Sequence, residues 1–175
     1  MTRTWSTSPE ELQGWFAGRL PAGWFAGAPD VQSDRDEILV VGTLTEPELP
    51  PDATADTAAA ARASRIAGFR EDTRAQRMRI ADEAQHRFGR KVSWGASCGD
   101  ETVHFTILSA PAMTRLRLPE RRVLDTLVEA GVARSRSHAL AWCVRLVAER
   151  QDDWLKDLRG ALESVEKVRS EGPKD

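Results

Sequence analysis

The chain of 175 residues contains no tyrosine, only two cysteines and only three histidines. Cys98 and Cys143 lie far apart, so their spacing matches neither a disulfide framework nor a metal or redox motif. The three histidines, His86, His104 and His138, fall on separate predicted elements, and none has a second ligand at metal-binding spacing. We therefore expect no metal site, and we interpret both cysteines as small core residues in a reducing environment.

The sequence also has no glycine-rich nucleotide loop and no paired-histidine metalloprotease motif. No apolar run is long enough to cross a membrane, and the N-terminus has no signal-peptide core. These absences predict a cytoplasmic protein with no cofactor and no membrane partner. Ser97, Cys98 and His104 lie near one another around a predicted turn, which is the one hint of a nucleophile. A hairpin turn explains these residues without any chemistry, so we expect no enzymatic activity.

The net charge of −2 hides an uneven distribution of charge along the chain. Residues 1–60 hold ten carboxylates and three arginines, whereas residues 113–150 hold eight arginines and four carboxylates. The basic stretch would allow a polyanion to approach the C-terminal part of the chain. A solvated basic face on a pair of helices would give the same composition, so charge alone does not separate these two interpretations.

The first half of the chain predicts a helix followed by a hairpin. Ser8 has the properties of a helix N-cap, with Pro9 in the first turn and Glu11 three residues further on. Two near-identical segments, residues 14–18 and 23–27, each carry a Trp-Phe pair, which we expect to fill the core of a small domain. Residues 31–44 predict a β-hairpin, and the proline-rich residues 46–54 predict a linker.

Residues 53–88 predict one long helix, rich in alanine and basic side chains, and Gly89 is expected to end it. Its basic face could lie on nucleic acid, or it could balance the acidic residues 1–60. Residues 91–100 and 102–108 then predict a second hairpin. Helix, hairpin, long helix and hairpin together predict an α+β domain over residues 1–110 with a mainly antiparallel sheet.

Residues 111–171 predict a separate unit that begins with a short strand. Outward positions Met113, Arg115 and Arg117 alternate with Thr114, Leu116 and Leu118, which is the period of two expected of a strand. Pro119 ends that strand and is suited to the start of a helix. Two amphipathic helices follow, separated by a stop at Gly131, and a third apolar stripe at helical spacing runs through residues 151–170.

The start of the second of these helices carries four residues suited to anion binding. Ser135 is the expected N-cap, with Ser137 two residues later, and Arg134 and Arg136 lie beside them. A helix N-terminus offers free backbone N–H groups and the positive end of the helix dipole, both of which favour a phosphate.

A strand, a helix, a turn and a helix in this order, with these arginines and serines, resemble the ribbon-helix-helix (MetJ/Arc-type) family of DNA-binding proteins over about 40 residues. The resemblance implies a homodimer in which the two strands pair as an antiparallel ribbon in the major groove of double-stranded DNA. It implies that Met113, Arg115 and Arg117 face the bases, and that Ser135 and Ser137, which Arg134 and Arg136 flank, anchor the phosphate backbone. Arginine is well suited to the guanine edge, where a bidentate pair contributes about 1–3 kcal/mol of discrimination.

Two functional hypotheses follow from the sequence. In the first, the protein is a cytoplasmic, bacterial, dimeric transcription regulator whose residues 1–110 sense a ligand or bind a partner. In the second, it is a protein-interaction factor, such as an antitoxin or an adaptor, whose ribbon-helix-helix unit mainly dimerises. Residues 1–110 would then be the partner-binding surface, and Arg115 and Arg117 would be the solvated face of an edge strand.

Overall fold

The computed structural model describes residues 7–171, without the side chains of residues 166 and 170. The chain divides into two compact units between Pro111 and Ala112, and we call these the N-terminal unit and the C-terminal unit. Over the described residues, six helices and a four-stranded sheet confirm the predicted α+β class.

The N-terminal unit contains three helices and the whole sheet. Its elements are α1 (Pro9–Arg19), β1 (Asp30–Ser33), β2 (Glu37–Thr43), α2 (Ala55–Asp72), α3 (Arg74–Phe88), β3 (Lys91–Cys98) and β4 (Glu101–His104). The predicted start of α1 is confirmed, because the Ser8 hydroxyl accepts a hydrogen bond from the Glu11 N–H at 3.1 Å. Such a cap satisfies one of the N–H groups that the first helical turn leaves without a partner.

The four strands lie in the order β1-β2-β3-β4, and both predicted hairpins are present. β1 pairs with β2 and β3 pairs with β4, each antiparallel, with Gly99 in the second turn at φ 59°. The central pair β2 and β3 is parallel, in a register that runs from Glu37 opposite Lys91 to Thr43 opposite Ser97. The sheet is therefore mixed. Parallel neighbours need a long crossover connection, and α2 and α3 supply it.

The predicted last strand is shorter than expected. β4 ends at His104, and the Phe105 N–H still donates to the Trp94 carbonyl at 2.7 Å. Beyond that bond the chain leaves the sheet, and the Ile107 side chain is 83% exposed. β3 extends back to Lys91, so a neighbouring strand exists for these residues, but the pairing ends at Phe105 and the alternating pattern up to Leu108 predicted too long a strand.

The predicted long helix is interrupted at Thr73, which separates α2 from α3. The Thr73 hydroxyl donates to the Phe69 carbonyl at 2.5 Å, and the Thr73 N–H donates to the same carbonyl at 3.1 Å. A threonine hydroxyl that bonds back to the carbonyl four residues earlier competes with the regular helical bond and bends the helix. One continuous helix was therefore the wrong prediction at this residue.

The aromatic pairs fill the N-terminal unit, as predicted. Phe16 is fully buried, and its ring meets Trp15 and Trp94 edge to face. From the second pair, Trp24 packs against Phe69, with ring centroids 5.5 Å apart. The other buried apolar side chains of this core are Leu12, Ile38, Val40, Leu44, Ile66, Ile80, Ala84, Phe88, Ala96 and Cys98.

The C-terminal unit consists of α4 (Leu118–Glu129), α5 (Arg136–Arg150) and α6 (Asp152–Glu171). Gly131, at φ 73°, follows the end of α4, as expected of a helix stop, and its N–H donates to the Val128 carbonyl. Among the described side chains of this unit, those of Leu124, Ala133 and Ala139 form a small buried core, with further apolar side chains packed against them. Such a core leaves much of the apolar surface of these helices uncovered.

Candidate nucleic-acid interface

A strand was predicted over residues 113–118, but residues 113–117 form no strand within the single chain and residue 118 begins a helix. A β-strand exists only where another strand accepts and donates its backbone hydrogen bonds, and this segment has no such partner in the C-terminal unit. Arg117 has extended backbone dihedrals, φ −82° and ψ 173°, and it is the N-cap of α4. Leu118 is the first residue of that helix and Pro119 the second, so the helix begins one residue earlier than expected.

The side chains of the segment alternate in exposure near the helix. Arg115 and Arg117 are exposed, whereas Leu116 between them packs against the small core around Leu124. The Leu116 carbonyl is held by the Arg121 guanidinium, whose Nη1 donates to it at 2.7 Å. The backbone is therefore fixed at Leu116, with both neighbouring guanidiniums directed away from the core.

The three remaining positions of the predicted strand are all exposed. Met113 is 98% exposed, and Thr114 and Leu118, expected to face inward, are also exposed. Among residues 7–171, no other part of the chain buries either of these two inward positions.

The start of α5 has the predicted N-cap. The Ser135 hydroxyl accepts a hydrogen bond from the His138 N–H at 3.2 Å, and Ser135 has extended dihedrals. The N–H groups of Arg136 and Ser137, in the first turn, have no intrahelical acceptor. Arg134, Ser135 and Ser137 are exposed, and the Arg134 N–H donates to His138 Nδ1 at 3.3 Å. These features leave an open, positively polarised helix end.

Arg136 is engaged in an ion pair that the sequence did not predict. Its Nε and Nη2 atoms donate to the two carboxylate oxygens of Asp125 at 2.6 and 2.7 Å. These hydrogen bonds hold the pKa of Asp125 below its usual range and raise the pKa of Arg136. Such a two-point contact joins α4 to α5, and it directs the Arg136 guanidinium toward Asp125 rather than toward a phosphate.

The C-terminal unit exposes a large number of apolar side chains for its size. They are Met113, Leu118, Val123, Val132, Val144, Val147, Trp154, Leu158, Leu162, Val165 and Val168. Scattered exposed apolar residues are ordinary, but a set this dense on a unit of about 60 residues is typical of a surface that another molecule covers.

The other sequence hypotheses find no assembled site. Cys98 is fully buried, and burial raises the pKa of its thiol, which makes it less reactive. The Ser97 hydroxyl is hydrogen bonded to Thr43 at 3.1 Å, and His104 pairs with Gly95 in the sheet register rather than with Ser97. No cluster of three His, Cys, Asp or Glu side chains suited to a metal ion occurs among residues 7–171. In the same range, no helix combines the length and apolarity needed to cross a bilayer.

The fold and this surface define a protein of two units, an aromatic-rich α+β unit followed by a three-helix unit with a basic edge. Comparison with known proteins divides the chain in a similar way. Residues 10–104 match the family model of the Rv1265-like protein N-terminal domain, and residues 117–169 match that of the Mb1296 C-terminal domain. The chain belongs to the Rv1265-like family.

Two relatives illustrate how closely the family is related. The chain is 56% identical over 160 residues to the "Uncharacterized protein Rv1265" of Mycobacterium tuberculosis strain H37Rv, and to the same extent to the "Uncharacterized protein Mb1296" of Mycobacterium bovis. Each alignment covers 91% of this chain and 69% of the relative. No solved structure matches the chain. The names of these families carry no activity, so a function has to be argued from the residues.

Proposed function

We propose that the protein is a dimeric, cytoplasmic DNA-binding regulator whose C-terminal unit acts as a ribbon-helix-helix module. The observation that carries the proposal is the segment before α4. Arg115 and Arg117 are exposed on either side of Leu116, which packs on the helices, and among residues 7–171 the segment has no strand partner. A second copy would supply that partner, and the ribbon would then present four arginines on one face.

The charge of the C-terminal unit supports a polyanionic partner. Residues 113–150 carry an excess of four positive charges, and Arg134 lies beside the open N-terminus of α5. In the proposal, Arg115 and Arg117 contact base edges in the major groove, and Met113 lies at the end of the ribbon. Arg134, Ser135 and Ser137 contact the phosphate backbone, while Arg136 contributes only if its contact with Asp125 opens.

The exposed apolar side chains support self-association. On α6, Leu155, Leu158, Leu162 and Val165 follow the spacing of three and four residues that two-stranded coiled coils use. A pair of chains could cover this stripe together with the inward side of the ribbon. Light scattering after gel filtration should therefore give twice the 19.4 kDa mass of one chain. A monomer at micromolar concentration would exclude the ribbon, since half of a ribbon has no partner strand.

The central experiment compares two double variants that remove the same number of charges. Arg115→Ala with Arg117→Ala alters the proposed base-reading face, whereas Arg145→Ala with Arg150→Ala removes two exposed arginines from the rest of α5. DNA recovered by crosslinking in cells supplies the target, and fluorescence anisotropy measures affinity for that duplex and for a scrambled one. We expect the first variant to remain dimeric and to lose preference for the target, and the second to retain it. Equal target affinity in both variants would refute the assignment of the ribbon.

A salt titration separates the contributions to binding. Neutralised phosphates make the affinity fall steeply with salt, at a logarithmic slope of about −0.9 per phosphate contact. Removing Arg134 should flatten this slope for both duplexes alike, because a phosphate contact carries no sequence information. A change confined to the target duplex would instead place Arg134 at the bases.

One observation favours a second function. The Arg136 guanidinium is bonded to Asp125, so one of the four residues proposed to contact phosphate is already occupied. In that alternative, the C-terminal unit mainly dimerises, and the N-terminal unit binds another protein as an antitoxin or adaptor would. It predicts weak binding to DNA without sequence preference, and a protein that co-purifies with residues 1–110.

A further inference from the structure

The N-terminal unit contains an open cavity of about 510 Å³ that the proposed DNA contacts do not use. Its walls come from the region around the α2–α3 junction, from β3 and from the residues that follow β4. The lining side chains are Arg70, Glu71, Arg74, Arg77, Met78, Ala81, Val92, Trp94, Phe105 and Thr106. The volume lies in the range of small-molecule sites, about 300–1,000 Å³.

Three arginines share one side of this cavity. Arg70, Arg74 and Arg77 are spaced by four and three residues, which places them on one face of a helical segment, and that face continues past Thr73. Arg70 and Arg74 are exposed, and Arg77 is only 6% exposed. Arg70 and Arg74 therefore line the solvent-exposed part of the cavity, and Arg77 lines its buried part.

The hydrogen bonds of Arg77 go to neutral acceptors. Its Nε donates to the Thr73 hydroxyl at 3.0 Å, and its Nη2 donates to the Arg70 carbonyl at 2.6 Å. Among the residues that the structure describes, none of the three arginines has a carboxylate within ion-pair distance. Glu71 is the one acidic residue in the lining, so the cavity carries two more positive than negative charges.

Burial lowers the pKa of the Arg77 guanidinium, and repulsion from Arg70 and Arg74 adds to the effect, with Glu71 opposing it. A charge removed from water is normally balanced by an opposite charge. Among the described residues, no carboxylate forms an ion pair with Arg77, and an anion in the cavity would provide that contact.

The lining also has an aromatic part, and Phe105 interacts with two of the same arginines. The Arg77 guanidinium carbon lies 4.8 Å from the centroid of the Phe105 ring, and that of Arg70 lies 5.9 Å from it. Phe105 thus holds two guanidiniums in place by cation–π contacts. Beside it, Trp94 and Val92 add an apolar surface on which the uncharged part of a ligand can pack.

We propose that this cavity binds a small molecule with an oxyanion group, a phosphate or a carboxylate, between Arg70, Arg74 and Arg77, and with its remaining part against Phe105. Guanidiniums bind both groups through paired hydrogen bonds, so the arginines recognise the chemistry that the two share. The proposal is independent of DNA binding, because all of these residues belong to the N-terminal unit.

The test uses the full-length protein with inorganic phosphate and with citrate as probes, at an ionic strength held constant with sodium chloride. Isothermal titration calorimetry and thermal denaturation should both show saturable binding of at least one probe. A stronger effect of phosphate would assign a phosphorylated ligand, and a stronger effect of citrate would assign a carboxylated one. The absence of saturable binding of either probe would overturn the proposal.

Matched variants locate the site. Arg70→Gln with Arg74→Gln removes two exposed arginines from the cavity, and Arg65→Gln with Arg79→Gln removes two exposed arginines of the same helices outside it. We expect the first variant to bind the probe at least about tenfold more weakly than the unsubstituted protein, because it loses charge-assisted hydrogen bonds. The second variant should keep its affinity for the probe within about twofold. Equal affinities would exclude this cavity.

Two further measurements complete the test. Circular dichroism checks that both double variants are folded. If the cavity variant is not folded, the single variant Arg74→Gln replaces it, and we expect a smaller loss of probe affinity in the same direction. A DNA duplex added to the phosphate-loaded protein should leave phosphate bound. Displacement of phosphate by the duplex, together with loss of DNA binding in the cavity variant, would instead assign the arginines to nucleic acid and overturn the small-molecule site.

Discussion

Replacement of Gly42 by alanine is expected to destabilise the N-terminal unit through a single contact. Gly42 lies near the end of β2, and a Cβ atom added there would lie 2.2 to 2.3 Å from three atoms of the Phe25 ring. Carbon atoms in contact are normally about 3.5–4.0 Å apart, so the ring would have to retreat by more than 1 Å. Any such movement would disturb the packing of Phe25 against Phe69, whose ring centroid lies 5.3 Å away.

The expected magnitude follows from two opposing effects. Glycine to alanine in a regular element usually stabilises a protein by about 0.5–1 kcal/mol, since alanine restricts the unfolded chain. Forcing an extra methyl group into a packed site costs about 1–3 kcal/mol. We therefore expect Gly42→Ala to lower the free energy of unfolding by about 1–2 kcal/mol. Gly68→Ala is the control, because an added Cβ in this α2 position meets nothing within 4 Å and should be stabilising.

Urea denaturation monitored by tryptophan fluorescence measures both variants, with Trp24 and Trp94 reporting on the N-terminal unit. A double-mutant cycle then isolates the contact. In a Phe25→Ala background the ring is gone, so Gly42→Ala should add no further loss of stability. The contact would be refuted if Gly42→Ala were as harmless as Gly68→Ala, or if its cost were the same with and without the Phe25 ring.

Three other predictions concern the helix cap, a charged turn and α6. Ser135→Ala removes the N-cap of α5 and should lower the free energy of unfolding by about 1 kcal/mol in urea, whereas an unchanged midpoint would contradict the cap. Backbone hydrogen bonds from Asp36 and Glu37 lower the pKa of Asp34, so its contribution to stability is present above the usual aspartate pKa and is lost as the pH falls through the lowered value. In Asp34→Ala, the free energy of unfolding should therefore fall less steeply as the pH is lowered, as denaturation at several pH values would show. An equally steep fall in the variant and the unsubstituted protein would exclude this role. Leu158→Asp places a charge in the exposed stripe of α6 and should convert the proposed dimer to a monomer in light scattering, whereas an unchanged mass would contradict a role of this stripe in self-association.

The sequence correctly predicted those helix ends that depend on only one or two neighbouring residues. The Ser8 cap, the Ser135 cap and the helix stop at Gly131 are each decided by the dihedral or hydrogen-bonding properties of one or two residues. The α+β class followed from the order of the predicted elements. The exposure of Arg115 and Arg117 followed from the alternation around Leu116.

Features that depend on distant partners could not be predicted in the same way. The parallel pairing of β2 with β3 is set by how α2 and α3 cross the sheet, and neither strand carries a signal for its neighbour. The contact of Arg136 with Asp125 joins residues on two helices, so the spacing of arginines alone could not show that one of them is already paired. The regular spacing of Arg70, Arg74 and Arg77 was visible, but only the packing of β3 and Phe105 against that face turns it into a cavity.

The parallel pair at the centre of the sheet also has a consequence for how the protein folds. Glu37 and Lys91 are partners although 54 positions separate them, so β2 cannot complete its hydrogen bonds until the crossover helices and β3 are in place. Contacts between residues so far apart in sequence slow folding, whereas adjacent helices such as α4 and α5 can associate quickly. During synthesis, the edge of β2 that pairs with β3 has no partner until β3 has been made, and an unpaired strand edge is a site where chains can associate wrongly.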